Sequence, residues 1–159
     1  MPQRSPAKVP LKFFGEARKT VRAQLAAAAA EGQSAQATLT CFFRIHLEFL
    51  AANPAVAAVL YDDAAPPSGE RALQEYRKLM LFLLSKFEKI IAAGKTAKTV
   101  RGDVDPAMAA VHSLGAIQMA WTFWTIGGRR GDLAEFGLKL FEQLWAGIGI
   151  LRDDAIGKE

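Results

Sequence analysis

Cysteine is nearly missing from the 159 residues: Cys41 stands alone, so no intrachain disulfide framework can form. Histidine is almost as scarce. His46 and His112, on separate helical segments, make no cluster with Cys41 at the spacing metal ligands need. No run of alternating β-branched residues is long enough for a strand, which also removes the glycine-rich phosphate loop that follows one. Carboxylates do pair, at Asp62-Asp63, Asp103 with Asp105, and Asp153-Asp154, but at loops and helix ends where solvated caps are expected. No nucleophile, base and orienting group recur together, so the chain is expected to be no enzyme and to carry neither metal nor cofactor. A charged-then-apolar leader is lacking too, and with the single cysteine this points to a reducing cytoplasm.

What remains is apolar and helical. At 51% apolar residues the chain can bury a sizeable core as one domain. The net charge of +4 is uneven: Arg4, Lys8, Lys12, Arg18, Lys19 and Arg22 crowd the N-terminus against Glu16. Such a segment either touches phosphates or anionic lipid, or is a solvated tail. We divide the chain into a basic tail (1–10), a helical domain (11–152) and a frayed end (153–159).

Proline, glycine and asparagine mark off about six helices, an all-α bundle. The first runs from Leu11 to Ala30, with Gly32 beyond its end and an alanine run, 26–30, that favours helix but specifies little packing. Ser34 caps the second, whose face Leu39, Phe42, Phe43, Leu47 and Leu50 is stopped by Asn53-Pro54; a short third helix follows to Asp62. After a loop from Ala64 to Gly69, the fourth spans Glu70 to Ala93 on the stripe Leu73, Tyr76, Met80, Leu84, Phe87 and Ile91, with Gly94 as its stop. Asp105-Pro106 opens the fifth, to Ile126. Asp132 opens the sixth, with Leu133, Phe136, Leu140, Leu144, Ile148 and Leu151 on one face and Glu135, Lys139 and Glu142 on the other.

The fifth helix carries no formal charge between Pro106 and Ile126 and is apolar all round. In a chain this small, that is expected of a helix shared between its own core and a second subunit. The small residues Ala109, Ser113, Ala116 and Ala120 permit close approach, flanked by Phe123 and Trp124, and Gly137, Phe141 and Trp145 supply the sixth helix's part. A twofold homodimer with a four-helix interface is expected. A membrane span would need ~20 apolar residues, and His112, Ser113, Gln118 and Thr122 interrupt this run, so no membrane is expected.

The segment Val100-Arg101-Gly102-Asp103-Val104-Asp105-Pro106-Ala107-Met108-Ala109-Ala110 resembles the stretch that opens the penultimate helix of TetR-type transcriptional regulators. Phe49-Leu50-Ala51-Ala52-Asn53-Pro54 and Leu144-Trp145-Ala146-Gly147-Ile148 fall where that family has its neighbouring landmarks. The resemblance covers residues 20 to 150. It implies the effector-binding and dimerising half, with Lys12-Phe13-Phe14-Gly15-Glu16 at the junction and no helix-turn-helix to read DNA, so DNA would be a partner only with that part restored. It also implies a pocket for an apolar small molecule among the long helices, lined by Phe42, His46, Tyr76, Met80, Phe87, Gln118 and Trp121.

Each of these has a plainer alternative. His46, inside an apolar stripe, is either a polar anchor for a ligand or a core histidine satisfied by a neighbouring carbonyl. The apolar candidates could equally be ordinary core, and His112 faces either the dimer seam or the pocket. Cys41 beside Arg44 is a reactive thiol or a plain helix-surface cysteine. The competing function is a stand-alone helical protein that sequesters a ligand, unrelated to transcription.

Overall fold

The computed structural model describes residues 9–61 and 69–150. The expected tail before residue 9, the loop 62–68 and the end from 151, Leu151 included, lie outside the described residues. Six helices follow in order: α1 Leu11–Glu31, α2 Ala35–Ala52, α3 Pro54–Tyr61, α4 Glu70–Thr96, α5 Pro106–Ile126 and α6 Leu133–Ile148. The all-α expectation holds, and no strand is present among the described residues beyond one isolated bridge, Val100 with Gly149.

Side-chain caps set most of the starts. Ser34 Oγ accepts from the Ala37 N–H at 3.1 Å. Asp105 accepts from Ala107 and Met108 at 2.8 and 3.2 Å, and Asp132 from Ala134 and Glu135 at 2.7 and 3.1 Å, each satisfying donors that the first helical turn leaves open. Pro54 cannot continue α2, and the chain turns by 113° into α3.

α2 is the centre of the bundle, touching all five other helices. Its fully buried Phe42 and Phe43 meet Phe87 of α4 and Phe141 of α6; the ring centroids of Phe43 and Phe141 lie 4.6 Å apart, those of Phe42 and Phe87 5.2 Å. These rings, with Leu39, Leu47 and Leu50 beneath them, tie three long helices together. The remaining long pairings are α4 with α5, α5 with α6 and α1 with α2 and α4.

Three expectations shift. The buried stripe of α4 is Ala72, Leu79, Leu83, Phe87, Ile91 and Gly94, so Leu73, Tyr76, Met80 and Leu84 flank it half-buried. Gly94 does not end that helix. A Cβ there would lie 2.8 Å from both the Ala35 Cβ and Val100 Cγ2, so glycine lets α2 and the 97–104 segment press against α4. In α6 the core row is Leu133, Ala134, Gly137, Phe141 and Trp145, while Phe136 faces outward. Gly137 is closer still to its neighbour: its Cβ would overlap Leu47 Cδ1, so α6 can approach α2 only without a side chain at this point.

Candidate functional site

Gln24 occupies the buried row Phe14, Ala17, Val21, Gln24 and Ala28 of α1, and it faces His46 of α2. The His46 Nδ1 lies 2.8 Å from Gln24 Oε1, and its Nε2 lies 2.9 Å from the hydroxyl of Tyr61, the last residue of α3. An amide oxygen only accepts, so Nδ1 carries the proton and donates; Nε2 then accepts from the Tyr61 O–H. Burial pushes the imidazole pKa down to about 4 and the phenol up, the latter helped by nearby Tyr76. A neutral imidazole thus sits between an amide and a phenol, both of its nitrogens occupied, and ties α1, α2 and α3 together. Such a group has neither a free lone pair for a ligand nor a route for protons. Both ring nitrogens of His46 thus find partners within the chain, a side-chain carbonyl and a hydroxyl rather than a backbone carbonyl. Gln24 was legible as a polar residue in an apolar row; Tyr61 gave no such signal.

The other pocket candidates fall in different surroundings among the described residues. Phe42 stacks on His46 at 5.2 Å and meets Phe87, all three buried. Tyr76, Met80 and Gln118 are half-buried at the edge, with the Tyr76 hydroxyl donating to the Leu60 carbonyl at 3.3 Å. Trp121 lies apart, packed on Trp124 at 5.7 Å and beneath the Arg129 guanidinium. Cys41 is buried rather than on the helix surface. Burial, and a 3.1 Å hydrogen bond donated to Glu31, raise its thiol pKa and keep it protonated.

The expected interface residues lie largely inward. Ala109, Ser113 and Ala120 of α5, with Gly137, Phe141 and Trp145 of α6, are buried in the chain's own core; Ala116 and Trp124 are half-buried, and only Phe123 is well exposed. The small row of α5 serves close approach inside one chain: a Cβ on Gly137 would touch Ala120 at 3.4 Å. The opposite face carries the large apolar side chains outward: Met108 (50% exposed), Val111, Met119, Phe123 (57%) and Ile126 (74%), with Phe136 of α6 beside them. Met108 with Val111, and Met119 with Phe123 and Ile126, are spaced three or four residues apart, with Gly115 in the gap between the two groups. Gly115 lies on that face with open space where its Cβ would be, and His112 is exposed there too. At the far end a cleft of about 270 Å³ opens between Phe123, Trp124 and Phe136, rimmed by Arg130, Glu135 and Lys139.

No family model matches the chain, and no curated protein matches it either. Solved structures do. A transcriptional regulator FadR from Bacillus subtilis, in complex with stearoyl-CoA, superposes with a TM-score of 0.70 at 19% identity over 87% of this chain and 72% of that one. The fatty acid degradation regulator FadR from Bacillus halodurans gives 0.69 at 18% identity over 86% and 71%. A protein of unknown function from Rhodococcus sp. RHA1 gives 0.66 at 16% identity over 88% and 73%. The fold is one that transcriptional regulators use. Among the described residues no single helix is long and apolar enough to cross a membrane, α5 included, and no group of residues could hold a metal ion.

Proposed function

We propose that the chain is the effector-binding and homodimerising part of a TetR-like transcriptional regulator. The observation that carries this reading is the outward face of α5, free of Lys, Arg, Asp and Glu and mostly apolar from Met108 to Ile126, continued by Phe136 and half-buried Leu140 and Leu144 of α6. A contiguous apolar surface of this kind marks an interaction site, because water-exposed apolar area on this scale is costly to leave uncovered. A twofold axis beside α5 would place α5 and α6 of one copy against α5 and α6 of the other, burying the same patch on both. The order of Asn53-Pro54, Arg101-Gly102-Asp103-Val104-Asp105-Pro106 and the final helix supports the TetR type within that reading. The stearoyl-CoA held by the Bacillus subtilis regulator supports an effector with a large apolar part.

Sedimentation equilibrium tests it. The intact chain is expected to be a dimer at micromolar concentration, and Gly115→Arg combined with Phe123→Glu is expected to leave a folded monomer. Both positions point away from the core, so loss of helix content is not anticipated. A folded, monomeric unsubstituted chain would overturn the proposal.

A further inference from the structure

The alanine run of α1 has a consequence in space. Between α1 and α4 lies a cleft of about 630 Å³, floored by Leu25, Ala26, Ala29 and Ile90, because methyl groups cannot fill the gap two packed helices leave. Ala29, Thr38 and Ile90 also line a second cleft, of about 400 Å³, which continues past the α1–α2 turn to Ala97 and Thr99. The two meet end to end as one furrow. From Phe82 to Ala93 alone α4 rises about 16 Å.

The ends differ in charge. Arg22, Lys86 and Lys89 rim the first cleft, whereas the second has only neutral linings such as Gln33, Ser34 and Thr99. Arg22 and Lys86 stand over the same ring, Phe82, at 5.1 and 5.4 Å from its centroid. None of the three cations has a carboxylate partner among the described residues, although Arg18, one turn away, is paired with Glu75. Like charges gathered on one aromatic ring repel, and an anion placed between them removes that repulsion.

We propose that this furrow binds an amphipathic anion: a linear apolar chain ending in a carboxylate or phosphate, the head among Arg22, Lys86 and Lys89 and the chain along Leu25, Ala26, Ala29 and Ile90. The inference rests on the effector-binding reading and gives it a site and a ligand class. The apolar residues line an open groove between α1 and α4, which suits one chain laid along it; a membrane surface would be met by a protruding apolar face.

Calorimetric titration of the intact chain with myristate and with dodecyl phosphate, both below their micelle-forming concentrations, tests this. Saturable binding of one molecule per chain is expected, weakened at least tenfold by Lys86→Glu with Lys89→Glu and by the plugging pair Ala26→Leu with Ala29→Phe. All four positions are exposed, and unchanged helical circular dichroism would confirm that the variants fold. No binding of either anion, equal binding of dodecyltrimethylammonium, or capture by phosphatidylglycerol vesicles without binding of the dispersed anions would overturn the proposal. Binding that survives both pairs but is lost in Met80→Trp would also overturn the furrow, while leaving the effector-binding reading intact.

Discussion

At the scale of single residues, His46 couples stability to pH. Its folded pKa of about 4 lies below the ordinary 6.5. Between those values the unfolded chain binds a proton that the folded one refuses, so stability rises with pH through this window. The contribution is complete above pH 6.5 and is lost as pH falls toward 4, amounting to roughly 2–3 kcal/mol between pH 7.5 and 4.5. Urea unfolding of the chain beside His46→Gln measures it. The glutamine variant, which cannot take up the proton, should lose that much less over the same interval; parallel curves would mean that His46 is not neutral and enclosed. Gly137 and Gly147 make a second comparison. Alanine at Gly147, where the Cβ has open space, should add up to ~1 kcal/mol of helix propensity. Alanine at Gly137 must displace Leu47 and should cost ~1–3 kcal/mol. Thermal unfolding of both variants should therefore shift in opposite directions.

Among the elements, helix ends were easier to read than helix faces. Ser34, Asn53, Asp105-Pro106 and Asp132 act through local hydrogen bonds and ring geometry, which sequence specifies directly, and the structure has them where expected. Faces depend on what a helix meets. In α4 the true stripe runs one residue before Leu73, Met80 and Leu84, since long side chains flank the row that smaller Ala72 and Gly94 help to form. In α5, apolar on every side, the wheel has no phase: small residues turned inward together with Ile117 and Trp121, while Met108, Val111, Met119, Phe123 and Ile126 were left outside. The furrow was invisible because it is built by what the alanines of α1 lack. The Arg101 motif is a case where chemistry explains a pattern. Its guanidinium grips Asp103 through two nitrogens at 3.0 and 2.8 Å and donates to the Gly147 carbonyl at 2.9 Å, holding the end of α6 against the start of α5. A cation there also meets the negative end of the α6 dipole. Arg101→Gln should leave global stability nearly unchanged, because the pair is exposed, yet speed hydrogen exchange at the last amides of α6. Unchanged exchange would remove the role assigned to Arg101.

For the whole molecule, the proposed dimer couples assembly to folding. If α5 and α6 are covered by a second copy, the thermal midpoint must rise with protein concentration, since mass action favours the associated folded state by ~1.4 kcal/mol of dimer per tenfold increase. A few degrees per decade of concentration are expected, and none in Gly115→Arg with Phe123→Glu. The kind of surface adds a second condition. Met108, Val111, Met119, Phe123 and Ile126 carry no charge, so association through them should hold or strengthen as salt rises from about 0.05 to 1 M, where Coulomb forces beyond roughly 3 Å are screened. Salt would weaken a dimer held instead by Arg130, Glu135 and Lys139 at the rim of the α5–α6 cleft. A midpoint that rises with concentration but falls with salt would therefore keep the dimer and move its seam from the length of α5 to that rim, where Phe123→Glu would matter less than Lys139→Glu.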